Sequence, residues 1–173
     1  MSISNIVVAD DGSAHAKASL EMAIKLALKF EASLTVVHVL THDHPPEELR
    51  HLVEVEHLSG TGRAPSAKAN IATVVSRNAG STEAIAEERV ISVLAEQILK
   101  NATTKATESG VKNIAAVTKS GDYANAIIDV AEEKNADMIV MGRRGLSNLK
   151  GLLFGSVSQK VSQRANCSVL TVK

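Results

Sequence analysis

The sequence predicts a doubly wound α/β domain, an open parallel sheet with helices on both faces. Three observations predict it. Short β-branched runs alternate with stretches of helical apolar spacing along the chain, the pattern of repeated strand–helix–strand crossovers. The opening run NIVVAD is continuously apolar rather than alternating, as a strand covered on both faces must be. Finally, 173 residues with 45% apolar content are enough for one domain with a sizeable core and too apolar for disorder of the whole.

Taken in order, 5–10 (NIVVAD) is the first strand. DGS turns the chain, with Ser13 as N-cap of a helix over 14–30, and Leu20, Ala23, Ile24, Ala27 and Leu28 form its core-facing stripe. SLTVVHVL (33–40) is the second strand. Residues 41–82 form a long, partly mobile insertion within the single domain of 1–173. In it PPEELRHLVEVEHL can start a helix after its prolines, SGTGRAPSAKAN reads as a loop, and IATVV (71–75) as a short extra strand. A helix from Ser81 or Thr82 to about Ser109 carries apolar Ile85, Val90, Val93, Leu94, Ile98 and Leu99, and Gly110 ends it. VKNIAAVT (111–118) is the third strand, 121–135 a helix, ADMIVMG (136–142) the fourth strand, 156–165 a helix and CSVLTV (167–172) the last strand.

Composition narrows the function classes. Lys plus Arg and Asp plus Glu balance at 19 each, so nothing electrostatic favours nucleic acid or an anionic membrane as partner. Two Phe, one Tyr and no Trp leave little for stacking on bases. A single cysteine, Cys167, excludes an internal disulfide and fits a reducing compartment. The N-terminus lacks a signal-peptide pattern and no apolar stretch reaches membrane-spanning length, so a cytoplasmic protein is expected.

Between the fourth strand and the next helix lies MGRRGLSNLKGLLFGS (141–156), with four glycines. Ligands of doubly wound sheets bind beyond the carboxyl ends of strands where the winding reverses. The residues leave the strand order open. With order 3-2-1-4-5 the reversal falls between strands one and four, and this loop meets ADDGS. Glycine permits positive φ and close approach of a ligand, successive amides after Gly142 could form an anion nest, and Gly155 and Ser156 open a helix whose amides favour phosphate. The alternative is that these glycines serve tight turns alone. The spacing is neither a Walker A loop nor the dinucleotide G-x-G-x-x-G.

Gly142-x2-Gly145-x9-Gly155-Ser156, following DMIVM and preceding CSVLTVK, resembles the ATP-binding signature of the universal stress protein family. IVVADDGS resembles that family's first strand and turn, and LTVVHV its second strand. The likeness spans the chain apart from 41–82, which is longer than the family's usual connection. It implies a five-stranded parallel sheet in order 3-2-1-4-5 and a site for ATP (with AMP or ADP as the alternatives), sometimes with Mg2+ or Mn2+. By that resemblance Ala9 and Asp11 lie at the adenosine end, with the Asp11 carboxylate accepting from ribose hydroxyls or the adenine amino group. Val39 offers backbone groups to the adenine edge, and Met141 and Gly142 border the nucleoside and ribose. Gly145, Gly155, Ser156 and Val157 hold phosphates through backbone amides. The resemblance also implies a homodimer through 167–172, an exposed flat edge of the kind that invites pairing. Two departures stand out: Asp10 where the family often has an apolar residue, and Ala9 where proline is common. Asp10 could help hold a metal or pair with Arg143 or Arg144, but a helix-edge surface acid is the preferred reading.

Other constellations are weaker. His51, Glu54 and His57 share a helix face beside His42, Asp43 and His44, at a spacing that matches no structural zinc pattern. Arg143, Arg144 and Lys150 could neutralise phosphates or be solvated loop charges, with one arginine expected near phosphate. Cys167 reads as a buried inert thiol, and Leu149, Leu152, Leu153 and Phe154 as anchors of the loop. The expected function is therefore an adenine-nucleotide-binding stress-response or regulatory protein, at most a slow ATPase. An enzyme transferring or hydrolysing an adenylyl or phosphoryl group on the same scaffold is the alternative. A phospho-acceptor receiver is disfavoured, because strand three ends VTKSGD rather than on an acceptor aspartate.

Overall fold

The computed structural model describes residues 2–40, 83–146 and 154–173. The helix and strand expected within 41–82, its histidines, and Leu149, Lys150, Leu152 and Leu153 lie outside the described residues. The elements are β1 (Asn5–Ala9), α1 (Ala14–Phe30), β2 (Ser33–Leu40), α2 (Glu83–Glu108), β3 (Ile114–Ser120), α3 (Tyr123–Glu133), β4 (Met138–Gly142), α4 (Ser156–Arg164) and β5 (Ser168–Val172). The chain divides into two compact units, residues 1–41 with 95–173, and residues 42–94. The second is described only from Glu83, where it is helical.

All five strands belong to the first unit and form one parallel sheet, β3-β2-β1-β4-β5. This is the order the resemblance implied. β1 therefore neighbours both β2 and β4, and the winding reverses there. The central strands are apolar on both faces because both faces are covered: Ile6 and Val8 join Leu20, Ala23 and Ile24 of α1 and Leu99, Ala102 and Ala106 of α2. Val7 instead joins Ile127 and Val130 of α3 and Val161 of α4. Each such buried Val, Leu or Ile contributes roughly 1.5–3 kcal/mol relative to exposure, which is why Ile6, Val7 and Val8 run on without a polar residue.

The helix boundaries follow from local chemistry. Ser13 Oγ accepts the Ala16 amide at 3.1 Å, the expected N-cap of α1, and Asp122 does the same for α3 through the Asn125 amide at 3.0 Å. Gly110, at φ +98, stops α2. Two core expectations need correction. Leu28 is exposed on α1, and the buried stripe also includes Ser19, whose hydroxyl donates to the His15 carbonyl at 2.8 Å. On α2 the buried line is Ala95, Leu99, Ala102 and Ala106, while Val93 is exposed.

Candidate functional site

The site begins where β1 ends. The Asp10 amide still donates to the Val37 carbonyl at 2.9 Å, and the chain then turns through Gly12 at φ +81. Within the turn Asp10 Oδ1 accepts the Gly12 amide at 2.9 Å and Asp11 Oδ1 accepts the Ser13 amide at 3.0 Å. With Ser13 capping Ala16, side-chain oxygens occupy this end of α1, and two of them are carboxylate. An external anion meets two carboxylates at this turn and so an unfavourable field.

The start of α4 is the opposite case. Its N-cap is Gly155, with no side-chain cap bond, and its first turn holds no acid. The amides of Ser156, Val157 and Ser158 have no intrahelical acceptor, and the positive end of the helix dipole is unopposed. The loop leading to it is clamped at its ends by one residue. Arg143 donates its amide to the Val172 carbonyl at 2.7 Å and receives the Gly155 amide on its own carbonyl at 2.9 Å. The same carbonyl accepts from the Ser158 hydroxyl at 2.8 Å, which also lies 3.0 Å from the Gly155 carbonyl.

The glycines are needed for close approach. A Cβ on Gly142 would stand 2.6 Å from the Arg144 carbonyl oxygen and 2.9 Å from His15 Cβ. One on Gly145 would collide with Asp11 Oδ2, so the Asp11 carboxylate lies against the bare Gly145 backbone. This contact joins the β1 turn to the glycine loop as the reversal point required.

Ala9, Asp11, Met141, Gly142, Gly145, Gly155, Ser156 and Val157 thus collect around the carboxyl ends of β1 and β4 and the start of α4. Val39 stands one strand away. Because the Val37 carbonyl faces β1, the backbone groups of Val39, two residues on, face the same side past the end of β1. Three expectations change. Positive φ belongs to Gly12, Gly110 and Gly121, not to Gly142, Gly145 or Gly155. With the Arg143 amide engaged by Val172, the nest expected after Gly142 loses a donor. The Gly155 amide is likewise held by Arg143, so Gly155 shapes the helix start, and the donors left for a ligand are Ser156, Val157 and Ser158.

Asp10 is not a surface acid. It is 6% exposed, and its carbonyl takes a 2.6 Å hydrogen bond from His38 Nδ1. Strand alternation turns its side chain to the α1 face instead of out to solvent. Burial pushes its carboxyl above the ordinary value, with the Asp11 charge adding to this and the Gly12 amide, His38 and Lys17 opposing it. A raised carboxyl pKa makes ionisation costly to the folded state, fully so above the folded pKa and not at all below the unfolded one. Asp10→Asn, which keeps an acceptor for Gly12, is therefore expected to raise the urea midpoint at about pH 7. That gain should vanish near pH 3, where the unfolded carboxyl is also protonated; an equal gain at both pH values would exclude ionisation as its source.

Sequence reasoning missed His38, Ser158 and His15. The signal for Ser158 was its place three residues after Gly155, in reach of the last loop carbonyls. Nothing in the sequence marked His38 or His15. Cys167, expected to be buried, is only partly so. Its thiol is pushed up by burial and then by the Asp137 charge, which keeps it a poor nucleophile at neutral pH. No helix among the described residues is long and apolar enough to cross a membrane.

Comparison with known proteins agrees with this fold. Universal stress protein YxiE of Bacillus subtilis is 33% identical over 168 residues, covering 97% of each chain. Among solved structures, the universal stress protein UspA from Lactobacillus plantarum aligns with a TM-score of 0.70 at 19% identity, covering 100% of this chain and 99% of that one. A universal stress protein from Archaeoglobus fulgidus in complex with dAMP aligns at 0.60 and 23% identity over all of both chains. One in complex with cAMP aligns at 0.62 and 23%, over 100% of this chain and 99% of that one. The Universal stress protein family pattern matches residues 2–173, and the chain belongs to that family.

Proposed function

We propose that the protein binds an adenine nucleotide, ATP foremost, at the crevice between β1 and β4, and that it works in the cytoplasm as a nucleotide-dependent regulatory protein. The observation that carries this reading is a contrast within one crevice: the turn leading into α1 carries two carboxylates, Asp10 and Asp11, whereas the start of α4 has neither a side-chain cap nor an acid. A ligand with a hydroxyl-rich end and an anionic end fits that polarity in one direction. Its ribose lies toward Asp11 and its phosphates toward Ser156 and Val157. The relatives seen with dAMP and cAMP carry ligands of this chemistry. A Mg2+ or Mn2+ ion would arrive held largely by the phosphates.

Calorimetric titration of ATP, with and without magnesium, is expected to give saturable heat that GTP does not reproduce. Absence of heat with folded protein would end the proposal. Hydrolysis is expected to lie far below the roughly 10 s−1 typical of enzymes, since Asp11 is engaged by Ser13 and Asp10 is buried, leaving neither carboxylate placed as a general base. Among the described residues the outer edge of β5 is unpaired in the sheet and its residues are at most partly covered; a homodimer through this edge is part of the same proposal. Sedimentation at micromolar concentration should give twice the 18.2 kDa chain mass.

A further inference from the structure

We infer that Arg143 is the residue by which this site distinguishes a polyphosphate from a monophosphate, its guanidinium engaging the terminal phosphates of the bound nucleotide. The inference rests on the proposed function and adds a residue and a selectivity to it. The first observation is an unmet donor. Arg143 Nε is buried and has no hydrogen-bond partner among the described residues. A guanidinium keeps its charge at physiological pH, and a buried charged donor left without an acceptor is unfavourable until one arrives.

The second observation is position. The Arg143 carbonyl lies 2.9 Å from the Gly155 amide and 2.8 Å from the Ser158 hydroxyl. Its side chain is therefore rooted beside the open amides of α4. A guanidinium turned toward those amides adds charge of the sign they present, while the Asp11 carboxylate lies at Gly145, on the side of the β1 turn. A phosphate chain leaving the ribose is repelled by Asp11 and drawn toward Arg143. The planar fork also matches phosphate oxygens bidentately, which an amide cannot do.

The third observation is the lack of a competing anion. The ion pairs of the described residues are Lys105–Glu21, Lys119–Glu133 and Lys160–Asp122, and none uses Arg143. Arg144 already has a partner. A monophosphate satisfied by the Ser156 and Val157 amides gains little from Arg143, whereas a second and third phosphate need a further cation.

The test is titration of ATP, ADP and AMP into the full-length protein, wild type and Arg143→Gln, with Arg143→Lys as the variant that keeps the charge but not the fork. In Arg143→Gln, ATP affinity should fall about tenfold, the loss of one charge-assisted hydrogen bond, while AMP affinity changes less than about twofold. Arg143→Lys should fall between, and the ATP advantage of the wild type should shrink with added salt. Equal weakening of ATP and AMP, or no change in either, overturns the role. A lowered melting temperature with both nucleotides weakened alike assigns Arg143 to structure and overturns it too. Wild-type protein that binds no adenine nucleotide overturns both this inference and the proposed function, whereas intact binding with unchanged discrimination in the variant overturns this inference alone.

Discussion

Gly142→Ala is expected to lower the melting temperature by several degrees, the result of about 1–3 kcal/mol of overpacking. The new methyl would meet the Arg144 carbonyl oxygen at 2.6 Å and His15 Cβ at 2.9 Å, with the His15 carbonyl carbon at 3.3 Å. Two of these three atoms are backbone, and the third is fixed to the first turn of α1. None can swing aside as a long side chain can, so β4 and α1 must separate. Replacing a glycine also gains about 0.4–1 kcal/mol through the unfolded chain where no strain results, but here the clash outweighs that gain. Thermal unfolding followed by circular dichroism measures the balance, and an unchanged midpoint would show that α1 gives way more easily than its packing implies.

Gly145→Ala is expected to do the reverse: keep the fold and lose the ligand. Its methyl would fall on Asp11 Oδ2, the far end of a side chain that can rotate away. Displacing Asp11 sacrifices its bond to the Ser13 amide, about 1 kcal/mol, which the gain at a former glycine roughly offsets. The melting temperature should stay within a few degrees of wild type. Nucleotide affinity should fall by about 10- to 100-fold, because the group expected to hold the ribose is no longer placed. If the effect passes through Asp11, then Gly145→Ala should add little once Asp11→Ala has been made. Full additivity of the two losses in a calorimetric double-mutant cycle would instead mean that the methyl obstructs the ligand directly.

The unequal fates of these two neighbours show what the sequence made legible. Glycine spacing marked the loop as a candidate site, and the apolar runs located all five strands, because both signals are local. The reason for the glycines was not local. None of Gly142, Gly145 or Gly155 has positive φ; what Gly142 and Gly145 need is space beside His15 and Asp11, residues that the fold brings near. Asp10 shows the same limit. As the last polar residue of an apolar run it reads as a strand terminus facing water, yet its amide still bonds to the Val37 carbonyl and its side chain is buried. The N-cap of α1 was readable from residues a few positions apart, whereas the buried alanine line of α2 depended on packing against residues distant in sequence.

The bond from the Arg143 amide to the Val172 carbonyl makes the outermost strand an immediate neighbour of the loop proposed to grip phosphate. Should two copies pair along that strand, ligand occupancy and self-association would become linked quantities, each biasing the other by the same factor. Apparent ATP affinity would then depend on protein concentration, and dilution would register as a change in ligand affinity.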